Sequence, residues 1–388
     1  MKQKDSLLNK NVILVFFVTF IFFATLDMTV YPLPLYVLEL GGGPREIGYI
    51  AGTFSFSAIL FRPLLGRISD ARGDKGILLI GMIASATAPL LYLAFSDLRL
   101  VALVRAYHGL GLAAVVLATQ AMMAGLAPSG KKGQALALQG IADGSGLMLG
   151  PPLGQWMMEA QGFHQLFISI AVLAGVGFFL ALLTDEPRNN IGDVKVTEQE
   201  IAGPFLQPQL LLATLLGFAV AFVFGSVLTF LPVYAEQLTV RFKSGLFVIL
   251  ALFAIIGRYT TGLLSDKYGR NKVVLPAVVL IASGAMLLAF WTASFGIYLA
   301  TALVGIGFGS GHCGLLTIAA EGSSSQFKGR SISLYATVFD LGIAASSYIF
   351  GVIAEWSSYG TVFTAAGLLG LALGLPLYFR LIRLPLCS

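Results

Sequence analysis

The sequence predicts an all-α membrane protein of twelve transmembrane helices, arranged in two pseudo-symmetric halves of six. Three observations carry that reading. The chain is 57% hydrophobic and only 11% charged, with a mean hydropathy of +0.86, whereas a soluble domain carries about 25% charged residues. It offers roughly twelve apolar runs of the length, about 20 residues, that a bilayer-spanning helix needs. It also repeats itself: a shift of 196 residues carries Arg62 onto Arg258, Gly66 onto Gly262, Asp70 onto Asp266 and Gly73 onto Gly269. A membrane β-barrel would instead show alternating segments of about 10 residues, and none is apparent.

In order, the predicted spans are 12–37, 46–69, 76–95, 98–127, 132–160 and 163–183, then 208–236, 244–265, 272–292, 295–320, 329–356 and 360–383. The first follows "MKQKDSLLNK" and resembles a signal peptide. Its apolar run continues to about Tyr36, holds Asp27 and has no small-residue cleavage site, so it reads as a span. The second ends in "RPLLGRISD" (62–70) and the eighth in "RYTTGLLSD" (258–266), an arginine, a glycine and an aspartate at equal spacing. The fourth carries "RAYHGLG" (105–111) and the fifth "GLMLGPPLG" (146–154). After the sixth comes the only long polar stretch, "TDEPRNNIGDVKVTEQEIAGPFLQPQ". It reads as a linker, 185–207, between an N-terminal half, 1–184, and a C-terminal half, 208–388. The tenth holds His312 and Cys313, and the eleventh the small-residue segment "TVFDLGIAASS". The shift of 196 also pairs Gly109 with Gly305 and Gly111 with Gly307. A shift of 198 lays "PLYVLEL" (34–40) on "PVYAEQL" (232–238). Six spans return each copy to the same side, so the repeat is parallel in topology.

Charge sets orientation. With a cytoplasmic N-terminus, most basic residues fall in cytoplasmic segments, and the opposite side holds Arg45, Arg99, Arg241 and Lys243. The positive-inside rule then places both termini and the linker in the cytoplasm of a plasma (inner) membrane protein. The net charge of +5 is spread over alternate loops, which argues against a nucleic-acid partner. The partners expected are a small-molecule substrate, protons and membrane lipid, with the chain a monomer. The two cysteines, Cys313 and Cys387, read as free thiols. No His, Cys and carboxylate cluster has metal-ligand spacing. "GLGLAAV" (109–115) follows no strand, and there is no Walker lysine, so neither nucleotide nor other cofactor is expected.

The motifs themselves resemble a known family. "GRISDARGDK" (66–75) and "GLLSDKYGRNK" (262–272) are similar to the loop signature between helices 2 and 3 of the major facilitator superfamily. The first copy departs from it at Ala71 and Asp74. "RAYHGLG" is similar to that family's helix-4 signature. "GLMLGPPLG" resembles its helix-5 antiporter signature at Gly146, Gly150, Pro151 and Gly154, while Ala137 and Gln155 stand where the pattern has glycine. The resemblance implies the major facilitator fold, alternating access, no enzymatic activity, and a drug/proton-antiporter-like exporter powered by the proton gradient. It further implies that Asp70 clamps the start of helix 11, near Gly329 and Arg330, and that Asp266 clamps the start of helix 5, near Gly133.

Charges at membrane depth cost at least about 2.5–3.5 kcal/mol each and persist only when paired, hydrated or used. Asp27 lies ~22 Å along the first span, and Tyr31, four residues on, would share its face. Arg105 is at a depth compatible with Asp27. The pair reads either as a proton-carrying carboxylate beside an arginine or as a static ion pair. Asp143 and Asp340, at near-equivalent positions, are further candidates for proton or substrate binding, or for hydrogen-bonded support. Arg62, Arg258, Gly66, Gly262, Asp70, Asp266 and Arg330 are assigned to gating. The ladder Gly146, Gly150, Gly154 with Pro151 would let helices approach closely. Tyr31, Tyr36, His108, Tyr234, Phe253 and His312 are candidates to line the substrate cavity. The function expected is proton-coupled export of a small amphipathic or cationic organic solute. A proton symporter for uptake, and a membrane receptor or scaffold without flux, stay open as alternatives.

Overall fold

The computed structural model describes residues 8–128, 131–186, 207–238, 240, 242–291, 293–321 and 328–383. Its elements are α1 (Lys10–Asp27), α2 (Pro32–Glu39), α3 (Pro44–Arg72), α4 (Asp74–Ala94), α5 (Leu98–Leu126), α6 (Lys132–Leu182), α7 (Pro208–Gln237), α8 (Gly245–Tyr268), α9 (Arg270–Phe290), α10 (Ser294–Glu321), α11 (Lys328–Trp356) and α12 (Tyr359–Leu381). Among the described residues there is no strand. A bilayer offers no water to unpaired backbone groups, so a chain this apolar satisfies them within helices. Asn9, Asp97 and Ser358 cap α1, α5 and α12 by accepting from backbone N–H groups.

Among the described residues, eleven stretches are long and apolar enough to cross a membrane, with α1 and α2 together forming one and α6 counted once. At 51 residues, α6 would be ~75 Å long if straight, far beyond a hydrocarbon core of about 30 Å. It breaks at Gly162, whose φ of 81° a side chain would oppose. Its two arms, 132–161 and 163–182, bring the spans to the twelve expected from the sequence. The first span differs from expectation. It is not one helix over 12–37 but is interrupted at 28–31. Pro32 and Pro34 remove two backbone donors that a continuous helix would need. Thr29 and Val30 tighten the turn by bonding to Leu26 and Asp27 carbonyls, each at 3.0 Å.

The chain divides into two compact units: Met1–Gly42 with Thr53–Gly192, and Gly43–Gly52 with Asp193–Ser388. The linker expected at 185–207 lies largely outside the described residues. Each unit repeats the other's packing. A Cβ on Gly109 would run into the Phe54 carbonyl, and one on Gly305 would lie 2.5 Å from the Leu250 carbonyl. Cβ atoms on Gly111 and Gly307 would lie 3.2 and 2.8 Å from the carbonyls of Gly81 and Ala277. All four partners obey the same shift of 196. Tyr36 donates to the Tyr92 carbonyl and Tyr234 to the Leu288 carbonyl, both at 2.9 Å. Those carbonyls belong to the last turns of α4 and α9, where no intrahelical donor remains.

The turns after α3 and α8 place Gly73 and Gly269 at φ 88° and 89°. In the first, the Glu186 carboxylate accepts from the Asp74 and Lys75 N–H groups at 2.7 and 2.9 Å, and the Lys75 ammonium donates to the Leu182 carbonyl at 2.9 Å. A carboxylate on two orphan donors suits the positive end of α4. Asn11 and Asp185 bond reciprocally beside it, at 3.1 and 3.2 Å. In the second, Arg270 forms an ion pair with Glu321 at the end of α10.

Candidate functional site

In the first unit, a polar cluster forms where α1 breaks. Asp27 is the last residue of α1 and is buried, at 8% exposure. It feels the charges of Asp143 on α6 and Arg105 on α5. Arg105 is equally buried, and its guanidinium lies over the Phe54 ring, 4.0 Å from the centroid. That is a cation–π contact, worth most when desolvated. Arg105 also interacts with the Tyr92 hydroxyl, which lies 3.4 Å from His108 Nδ1. The Nε and Nη1 atoms of Arg105 have no hydrogen-bond partner among the described residues.

The glycine ladder holds Asp27 in place. A Cβ on Gly146 would lie 2.5 Å from the Phe23 Cβ, one on Gly150 2.5 Å from the Asp27 Cβ, and one on Gly154 would strike the Met28 carbonyl. The three glycines therefore let α6 close on the C-terminal turn of α1. Pro151 is buried within this arm of α6. The structure thus brings Asp27, Arg105, Asp143, His108 and the ladder together. Tyr31 is buried but sits beyond the break as the N-cap of α2, so the helix that would have aligned it with Asp27 is interrupted. Tyr36 is buried against Phe163 and Phe167, with its hydroxyl on the Tyr92 carbonyl.

In the second unit, Tyr234 packs on Tyr359 and Phe363, and half-buried Phe253 meets Gly305. His312 lies among aromatic rings: Phe339 at 4.6 Å, Tyr335 at 5.7 Å and Phe308 at 6.0 Å between centroids. The Tyr335 hydroxyl is 3.4 Å from His312 Nδ1. Arg258 acts electrostatically on His312 and Tyr335. Asp340 is half-buried on α11, and Arg330 is half-buried near its start. Of the other gating candidates, Arg62 is half-buried, Asp70 is exposed near the end of α3, Gly66 approaches Leu117, and Gly262 faces open space. The side chain of Asp266 and the surroundings of Gly329 lie outside the described residues. Among the described residues, no group of three or more His, Cys, Asp or Glu could hold a metal ion.

The sequence did not single out Phe54, Tyr92, Tyr335, Phe339 or Glu186. Four are aromatic residues in apolar runs, where nothing in composition separates a ring beside an arginine from one in the core. Glu186 carried a signal, as an acid beside the sixth span, but its partner is reached only by folding.

Comparison with known proteins follows the same lines. The family model described as Major Facilitator Superfamily matches residues 15–347 and 244–385. An MFS-type transporter of Methanocaldococcus jannaschii is 22% identical over 386 residues, 97% of this chain and 99% of that protein. The multidrug resistance protein MdtG of Citrobacter koseri is 26% identical over 84% of each chain. The quinolone resistance protein NorA of Staphylococcus aureus is 24% identical over 47% of each. Among solved structures, a D-xylose-proton symporter superposes with a TM-score of 0.78 at 16% identity, covering 94% of this chain and 96% of that one. The xylose transporter XylE from E. coli gives 0.75 at 15% identity, covering 97% of each. With its helical repeat, its motif turns and a family model that spans nearly the whole chain, the protein belongs to the Major Facilitator Superfamily and is a multi-pass membrane transporter, not an enzyme.

Proposed function

We propose that this transporter exports a small amphipathic or cationic organic solute by alternating access, in exchange for protons entering the cell. The observation that carries the reading is the buried carboxylate Asp27, set beside Asp143 and Arg105 and held by the glycine ladder. A carboxylate at membrane depth beside both an acid and a base is suited to take up and release a proton as its surroundings change. The multidrug and quinolone resistance proteins among the relatives support export. No cofactor is needed, since carriers of this family draw on an ion gradient. Asp340 and Asp143 are assigned to the same proton path, and Asp70, Asp266, Arg62, Arg258 and Arg330 to gating. The protein works as a monomer in the plasma membrane with both termini cytoplasmic; a fluorescent protein fused after Ser388 should light up, and a dark fusion rescued only by an exported reporter would reverse that orientation.

The test is reconstitution in liposomes with an imposed pH gradient and a screen of candidate solutes. Flux of a transported solute should follow the gradient, and Asp27→Asn should abolish the gradient-driven component while leaving exchange at equal pH. Flux indifferent to the gradient would remove proton coupling from the proposal. A second reading, uptake by proton symport, is favoured by the fold shared with a D-xylose-proton symporter. The two part on the direction of proton movement when solute is added to one side. Export by exchange moves protons against the solute, and symport moves them with it.

A further inference from the structure

Arg105 and Asp27 are both buried, at 8% exposure each, and the arginine's charge acts on the carboxyl. Among the described residues no ion pair joins them, and Nε and Nη1 of Arg105 have no hydrogen-bond partner. A buried charge left unpaired costs more than a buried pair, so something else must hold the guanidinium. The Phe54 ring of α3 does so, with its centroid 4.0 Å from the guanidinium carbon. The negative face of the ring attracts the cation, most strongly where water is excluded. The ring itself is firmly seated. It meets His108 edge-on, at 5.8 Å and 81°. The Phe54 carbonyl approaches Gly109, where any Cβ would strike it. One turn further on, the Ser57 hydroxyl donates to the Ala106 carbonyl at 2.5 Å. These contacts fix α3 on residues 105–109 of α5. The titratable groups around the pair are Asp143 on α6, His108 on α5 and Tyr92 on α4, whose hydroxyl also meets Arg105.

We propose that Phe54 is a positioning residue for the proton site. Its ring holds the Arg105 guanidinium apart from Asp27, so that the Asp27 carboxyl can keep a proton. When the ring lets go, arginine and carboxylate pair, the Asp27 O–H bond breaks and the proton passes to water. The opposite charge within reach favours the ionised acid. The apolar ring thus decides which of two partners the arginine takes, without exchanging a proton itself. The inference rests on the transport reading only in calling Asp27 the coupling site. Titration of Asp27 is measured without flux, so the two fail separately.

The experiment is an infrared pH titration of the purified full-length protein. It follows the carbonyl stretch of protonated Asp27, identified as the band lost in Asp27→Asn. Phe54→Leu keeps an apolar side chain but removes the π face. The freed guanidinium should then move the midpoint to lower pH by about one unit, a tenfold loss of proton affinity. Phe54→Tyr keeps the face and should titrate as the wild type does. A second series guards against misfolding of Phe54→Leu. Phenylalanines of rising fluorine content, incorporated at position 54, keep the ring's shape while withdrawing its negative face. The midpoint should fall step by step along that series, an order that a packing role alone would not produce. A midpoint unmoved by Phe54→Leu and by fluorination, or one that shifts equally in Phe54→Tyr, would overturn the proposal. Flux indifferent to the gradient together with an ordered shift would remove the coupling and leave the positioning role. Gradient-driven flux with an unmoved midpoint would do the reverse.

Discussion

At the scale of residues, Gly150 and Asp27 illustrate how a helix-packing motif and a charged group become one device. The ladder reads in the sequence as small residues every four positions, which predicts close packing but not against what. The structure supplies the partner: the Asp27 Cβ and backbone carbonyl carbon would lie 2.5 and 2.7 Å from a Cβ on Gly150. Overpacking of this kind costs about 1–3 kcal/mol. Gly150→Ala is therefore expected to lower the melting temperature in detergent and, by pushing Asp27 from Arg105, to reduce gradient-driven flux more than exchange at equal pH. A loss of both fluxes in proportion would mean that the ladder serves stability alone. Asp27 itself was legible because a carboxylate in an apolar run is conspicuous. Phe54 and Tyr92 were not, because their role lies in what stands opposite them.

At the scale of elements, all twelve spans were legible, since length and hydropathy suffice when the solvent is lipid. The break at 28–31 was missed, although Pro32 and Pro34 announce it; hydropathy does not register a missing backbone donor, and the apolar run masks the interruption. The break of α6 fell where expected, because the polar residues around Gly162 mark a loop. Where α4 begins, an element depends on a residue far away in the chain. Glu186→Ala should cost about 1 kcal/mol, the usual worth of an N-terminal cap, and Glu186→Gln less, since an amide oxygen still accepts. Thermal unfolding of the two variants against the wild type would show it, and equal stability of all three would deny the cap any weight.

At the scale of the molecule, the duplication keeps packing and lets chemistry diverge. Gly109 and Gly305, Gly111 and Gly307, and Tyr36 and Tyr234 hold equivalent places. Arg105, Asp27 and His312 have no counterpart of the same type at the shifted position. The repeat of spacings was readable because glycine tolerates no substitute at a close approach. The tyrosine pair was seen only as aligned residues, and its hydrogen bonds to last-turn carbonyls emerge from the fold. Tyr36→Phe and Tyr234→Phe should each destabilise by about 0.5–1.5 kcal/mol, the net worth of one hydrogen bond. The two losses should match to within a factor of two if the duplicated ties do the same work. One variant falling in melting temperature and the other not would show that the halves have parted in structure as well as in chemistry.

The Glu186 clamp also decides where the connector between the halves begins in practice. Residues 185 and 186 are already committed, one to Asn11 and the other to the start of α4. A short epitope inserted after residue 190 leaves both commitments standing and should preserve transport. The same epitope between Thr184 and Asp185 separates the carboxylate from the turn at Gly73 and should silence it. For anyone attaching a reporter to this protein, the permissive window opens two residues later than the chain's polarity suggests.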